Sequence, residues 1–422
     1  MKRRRALVLA ALVAVVAAAG FAAGELRARA GVRAELASPL FASPVDAAPA
    51  RERLLPQRAE ARPLAAAPVL RIGGGDGAGF GRLADVAPSR SGDTLYVLDQ
   101  MEARVSAFTR GGEFLFDFGR KGPGPGEFTR PTQLLVLPWS GDVGVWDHAA
   151  QRLTVFAADG SRPRVVDPAA GSRRTRSRTV ERLSAFGSGF VMQVHADPLE
   201  VRPDRQRGAL VRLDTAFQPV DTLVRFAVAG VRAWHVETAA GSSATTWLNP
   251  PVFSPAPAWD VLADGTVLFA PGGPAEAYRL DGEGATRLRW AFAPGRVPRG
   301  DRLRRLAGEI DTGLLRVPEV PLGFLEALHR RFFARVQPAA TGILAGPGGE
   351  AWVRRFDTRD SWQGHARTWD RAGWDGTAGT PVRMPPCFRP LRIRDGVVYG
   401  IAWDEMQVDR VEAYDLSQTG AP

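Results

Sequence analysis

The sequence predicts an all-β protein built from small antiparallel sheets repeated around an axis. Three observations carry that prediction: two consecutive segments repeat in register, turn residues punctuate the chain at short intervals, and helical periodicity is scarce. Composition agrees. The 46 Gly and 33 Pro among 422 residues suit many short strands and turns. A hydrophobic share of 45% is enough to fill a large core.

The chain opens with Met1-Lys2-Arg3-Arg4-Arg5, followed by an uncharged run over residues 6–24, ALVLAALVAVVAAAGFAAG. A basic stretch before an apolar one is the layout of a secretory signal. Small residues place cleavage after Ala19 or near Gly24. The run is long for a signal, so an uncleaved anchor is the alternative. The charges before it would hold the N-terminus in the cytoplasm. Either way the rest of the chain is expected outside the cytoplasm: periplasmic or secreted, or anchored to the inner membrane by residues 6–24. No cysteine follows the run, which excludes lipoprotein anchoring. Residues 25–67 are rich in Ala, Arg and Pro without strand-like alternation, and are expected to be a flexible linker. Residues 1–67 hold eleven cations against five anions, so most of the net charge of +10 sits there. The remainder is only mildly basic, which argues against nucleic acid as a partner.

The repeat comes next. Residues 91–112 (SGDTLYVLDQMEARVSAFTRGG) align with residues 140–160 (SGDVGVWDHAAQRLTVFAADG). Asp99 and Asp147 are 48 residues apart, as are Arg104 and Arg152, Phe108 and Phe156, and Gly112 and Gly160. Gly92-Asp93 and Gly141-Asp142 read as tight turns. Residues 95–98 and 143–146 read as strands buried on both faces. Residues 104–108 and 152–156 read as their antiparallel partners, leading into hairpins at Gly111-Gly112 and Asp159-Gly160. A sheet of under 50 residues cannot bury both faces alone, and radial packing of such sheets, as in a β-propeller, solves that problem.

The stretch 112–131, GEFLFDFGRKGPGPGEFTRP, resembles the connection between blades in NHL-repeat propellers, where a fourth strand ends in a Gly-rich loop and Gly-Glu-Phe and a Pro open the next blade. The resemblance covers residues 84–159. It implies an NHL-repeat-like, six-bladed propeller and no particular activity.

Further blades are read at residues 180–226 (three strands), 259–292, 341–370 and 390–416. Val69-Leu-Arg-Ile72 and the Gly-rich residues after it loosely repeat residues 116–128, so this strand is expected to supply the outer strand of the last blade and tie the termini together. The count gives six four-stranded blades over residues 68–418, with seven as the alternative. Two insertions interrupt them. Residues 227–258 contain Trp and Pro. Residues 294–338 place Leu325, Leu328, Phe332 and Val336 at helical spacing, which predicts a small helical insertion between blades 4 and 5.

Chemical signals are sparse. The repeated Asp99 and Asp147 are expected to bond the backbone of their own turns, with the repeated Arg as partner. None of the five histidines has zinc-finger or zincin spacing. A propeller can still assemble a metal site from several blades, so no cofactor is predicted and a divalent metal stays open. No Gly-x-Ser-x-Gly elbow occurs, and the single cysteine, Cys387, lies in Pro-Pro-Cys with no activating base beside it. Residues 173–178 (RRTRSR) read as a solvated loop. Of the 11 Trp, those placed in or near loops are candidates for stacking a ligand. The candidate binding set is Trp247, Trp259, Trp362, Trp369, His235 and His365; no catalytic or metal set is assigned. The resulting expectation is an exported, non-enzymatic binding or scaffold module for a protein or small ligand. A metal-dependent lyase or hydrolase at the channel mouth is the alternative. Membrane contact is expected only through an uncleaved N-terminal segment.

Overall fold

A computed structural model describes residues 51–55, 59–74, 79–166, 178–196, 207–229, 232–237, 243–248, 253–281, 284–291, 336–356 and 368–419. The expected leader, the basic residues 173–177 and the helical insertion up to residue 335 lie outside them.

Six meandering antiparallel sheets follow one another along the chain. Blade 1 comprises Leu83–Pro88, Thr94–Asp99, Arg104–Thr109 and Phe114–Phe118; blade 2, Pro131–Val136, Val143–Asp147, Arg152–Phe156 and Arg164–Val166. Blade 3 comprises Arg178–Phe186, Gly189–Ala196, Arg207–Asp214 and Pro219–Ala227; blade 4, Ala258–Val261, Val267–Ala270, Glu276–Asp281 and Gly284–Trp290. Blade 5 comprises Ala340–Ala345, Ala351–Arg355, Thr368–Ala372 and Ala378–Arg383. Blade 6 takes Phe388–Arg394, Val397–Trp403 and Asp409–Asp415 from the C-terminal region and Leu70–Ile72 from the other end of the chain. Leu70 pairs with Ala413 and Ile72 with Val411, so the ring closes by hydrogen bonding. The first strand of each blade touches that of the next, and blade 6 touches blade 1.

The burial pattern explains the closure. Each junction between neighbouring blades holds one buried apolar cluster. Strand alternation feeds two junctions at once: Leu95 and Val97 face blade 6, while Tyr96 and Leu98 face blade 2. A blade with both faces apolar has no stable state outside the ring.

Three features differ from the sequence reading. Blade 3 has four strands, because Arg178–Phe186 is itself a strand. Among the described residues, strands already occur before residue 68. Arg51–Leu55 adds in parallel to the outer edge of blade 4, and Arg62–Pro63 does the same on blade 5. The alternation rule missed these segments because they show no buried–exposed alternation: only Leu55 is buried in the first strand, and neither residue in the second. Finally, the insertion at 227–258 contains a hairpin, Arg232–Glu237 with Ser243–Leu248.

Register places every long connection at one end of the ring. First and second strands are joined by tight turns, such as residues 187–188 and 395–396, at the end called here the turn face. Connections 197–206, 228–257, 291–339 and 356–367 all leave from the opposite end, the loop face.

Candidate functional site

The repeated aspartates lie at the loop face and serve structure. Asp99 accepts the backbone N–H of Gly81 (2.6 Å), Arg82, Met101 and Glu102. Asp147 likewise accepts from Thr129 (2.6 Å), Arg130 and Ala150. Each ties its own turn to the chain leading into the inner strand. The repeated arginines are not their partners. Arg104 pairs with Asp117, and Arg152 reaches the carbonyls of Pro123, Gly124 and Glu127, where it braces the Gly-rich connection between blades.

The central channel is a cavity of about 680 Å³ lined by the six inner strands. An inner strand presents an unpaired edge, whose N–H and C=O groups need partners. Side chains from neighbouring blades supply them. Bulges recur between Leu83 and Asp85, Pro131 and Gln133, Val180 and Arg182, Ala340 and Gly342, and Pro390 and Arg392. The residue after each bulge reaches the next blade wherever it has a side chain. Asp85 accepts from Leu134 N (2.8 Å), and Gln133 from Leu183 N (3.2 Å). Arg182 donates to the Trp259 carbonyl (2.6 Å), and Arg392 to the Val86 carbonyl (2.9 Å). In blade 4, Asp260 accepts from Ala345 N (2.9 Å). Arg392 also donates to Asp85 (2.6 Å) and to the Leu134 carbonyl (2.9 Å). Asp85 and Asp260 are therefore engaged, as is Arg392.

Arg182 is different. Its guanidinium carbon lies 4.6 Å from the centre of the Trp259 ring, and among the described residues it has no ion pair. Burial pushes its pKa below the usual arginine range; Asp260 opposes that shift and Arg392 adds to it.

At the loop face the channel meets a second cavity, of about 720 Å³, sharing Ala84, Thr132 and Arg389 with it. Gln100, Met101, Trp403, Gln407 and Asp409 line its walls. Burial pushes the Asp409 carboxyl up, while its bond from Leu83 N (2.8 Å) pulls the other way. Beside the blade 2–3 junction, Glu181 receives two imidazoles, His148 Nε2 and His195 Nδ1, each at 3.4 Å. These hydrogen bonds hold its carboxyl at about 2. His195 Nε2 lies 2.7 Å from Gln193 Nε2, and Gln193 Oε1 accepts from the Trp259 indole at 2.6 Å. The amide N–H therefore donates to an unprotonated His195 Nε2, which places the His195 proton on Nδ1. Among the described residues no three His, Cys, Asp or Glu side chains are grouped to hold a metal ion.

The sequence-predicted set is scattered. Trp259 sits in a strand, fully buried in the blade 3–4 junction. Trp369 is also on a strand, buried at 4% exposure between blades 5 and 6. His235 and Trp247 lie on the two strands of the inserted hairpin. Trp362 and His365 lie outside the described residues. Trp259 is the platform beneath Arg182, and Trp369 is among the residues lining the channel cavity. Sequence reasoning passed over Asp85, Arg182, Asp260 and Arg392, because the bulge that aims such residues has no local signature. One repeat was legible and missed: Glu276-Ala-Tyr278 in blade 4 recurs as Glu412-Ala-Tyr414 in blade 6, each Tyr hydroxyl donating to its Glu (2.5 and 2.7 Å).

Comparison with known proteins follows this geometry. Residues 86–163 match a family described as a 6-bladed beta-propeller. This is a six-bladed β-propeller. No curated protein matches the chain. Among solved structures, the propeller is similar to a Bacteroides fragilis protein described as exported, at 10% identity and TM-score 0.48, covering 86% of this chain and 99% of that one. It is similar to virginiamycin B lyase from Staphylococcus aureus, at 12% identity and TM-score 0.37, covering 81% and 82%. It is also similar to regucalcin from Agrobacterium tumefaciens, a calcium-binding protein, at 11% identity and TM-score 0.36, covering 86% and 96%. Among the described residues, no helix is long and apolar enough to cross a membrane.

Proposed function

We propose that this propeller is an exported, non-enzymatic binding module that holds a protein or small ligand at its loop face. The observation that carries the reading is that all long connections leave from that face, around a channel mouth widened by a second cavity. Long loops on a rigid scaffold are where binding residues concentrate. The basic and apolar pattern of residues 1–24 supports export to the periplasm or beyond, with retention at the inner membrane if the segment stays uncleaved. Photo-crosslinking in the native host tests it. A crosslinker at exposed Met101 or Met406, on the loop face, should capture a partner that one at Ser91 or Asp395, on the turn face, does not. Equal capture from both faces, or capture from the turn face alone, refutes the proposal.

The second reading, a metal-dependent lyase or hydrolase, needs ligands drawn from several blades, and among the described residues no three His, Cys, Asp or Glu side chains are grouped to hold a metal ion. Metal content of the purified protein, with zinc and calcium titrations of its melting temperature, tests that reading. A stoichiometric metal and a rising melting temperature would favour it; neither would leave the binding module.

A further inference from the structure

We infer that the channel binds a small organic anion, one carboxylate on an apolar body, with its head on Arg182. This goes beyond the loop-face reading and does not depend on it.

Burying a charge is costly. A guanidinium taken out of water needs a counter-charge or a full set of acceptors. Arg182 stays protonated because arginine does so throughout the physiological range. Its one hydrogen bond among the described residues goes to the Trp259 carbonyl, and its plane rests near the Trp259 ring. That leaves most of its donors turned to the channel. The nearest carboxylates, Asp260 and Asp85, act on it through space and neither fills its fork: Asp260 accepts from Val261 N and Ala345 N, and Asp85 from Val86 N, Leu134 N and Arg392. Six arginines line the cavity, Arg90, Arg182, Arg354, Arg389, Arg392 and Arg394, against two carboxylates, Asp85 and Asp260. A planar guanidinium fixed from behind by an indole presents a fork that matches a carboxylate.

The surroundings select the rest of the ligand. Between Arg182 and the turn face the cavity is walled by Leu135, Ala185, Phe186, Val261, Leu262 and Ile343. The volume is that of a small-molecule site. Arg392 is already paired with Asp85, so the open fork is that of Arg182, and one fork suits one carboxylate.

Octanoate and its neutral counterpart octan-1-ol are the probes, titrated by calorimetry into the full chain. Octanoate is expected to bind at least tenfold more tightly, because only the carboxylate can engage the guanidinium. Arg182→Met should weaken octanoate at least tenfold and leave octanol unchanged. Arg182→Lys, which keeps the charge but not the fork, should fall between. Equal affinities for octanoate and octanol, no octanoate binding at millimolar concentration, or an Arg182→Met variant that binds octanoate normally would each overturn the inference. The octanoate–octanol comparison needs only the unaltered protein, so it decides even if Arg182→Met fails to fold. Crosslinking at the loop face reads a separate surface, so either proposal can fail without the other.

Discussion

Replacing Asp85 with alanine tests the physical account of the channel. The Asp85 side chain is 10% exposed and joins three blades: its own Val86 N, Leu134 N of blade 2, and Arg392 of blade 6. Breaking a buried ion pair by removing one partner costs about 3–5 kcal/mol. Each orphaned backbone N–H adds about 1–3 kcal/mol where water cannot reach it. These costs overlap, and Arg392, at 30% exposure, can regain water from the channel. The expected loss for Asp85→Ala is therefore about 3 kcal/mol, toward the lower end of the ion-pair range. Asp85→Asn keeps one acceptor and should lose about half as much. Arg392→Met combined with Asp85→Ala removes both charges, so the pair should cost at least about 1 kcal/mol less than the sum of the single losses. Urea unfolding, with the midpoint and slope compared across the five proteins (parent, Asp85→Ala, Asp85→Asn, Arg392→Met and the double variant), measures all of this. If Asp85→Ala stays within about 0.5 kcal/mol of the parent, the surface-substitution range, the channel side chains do not seal the blade edges and the argument fails.

Three other outcomes follow from the same structure. Hydrogen bonds from His148 and His195 lower the Glu181 carboxyl from the ordinary 4.5 to about 2, so they stabilise the fold above the unfolded value and that contribution fades as pH falls from about 5 toward 2. Glu181→Gln should cost about 1 kcal/mol at pH 7, well below the full worth of the shift because a third of the side chain is exposed, and urea titrations should show the difference vanishing in that acid window. Leu55→Ala empties a buried site at the outer edge of blade 4 and should cost about 2 kcal/mol or more in the same urea titrations. Gly160→Ala should cost about 2 kcal/mol or more, since Gly160 has φ +78° and an added Cβ would stand 2.6 Å from Phe118; Gly92→Ala, with φ +82° and open space, should cost only about 1 kcal/mol in the same melts.

The sequence by itself determined the architecture. Turn pairs such as Gly92-Asp93, the 48-residue spacing of Asp99 and Asp147, and the alternation through residues 95–98 are properties of contiguous residues, and they encode blades directly. Even the ring closure by Leu70–Ile72 was legible, because the strand carries the same Gly-rich sequel as the outer strand of blade 1. The parallel additions at Arg51–Leu55 and Arg62–Pro63 were not, since each depends on an edge that exists only once blades 4 and 5 have formed. The places of two candidate aromatics were decided in the same way. Aromatic residues near turns suggested ligand stacking, yet Trp259 and Trp369 were drawn into blade junctions that only the closed ring creates. Only the tertiary structure brought Asp85 to Arg392, 307 residues away, and set Arg182 over Trp259. A strand pattern reports which face of a sheet a residue occupies; which charges meet in the channel depends on bulges and on how six sheets converge, and neither is written in local spacing.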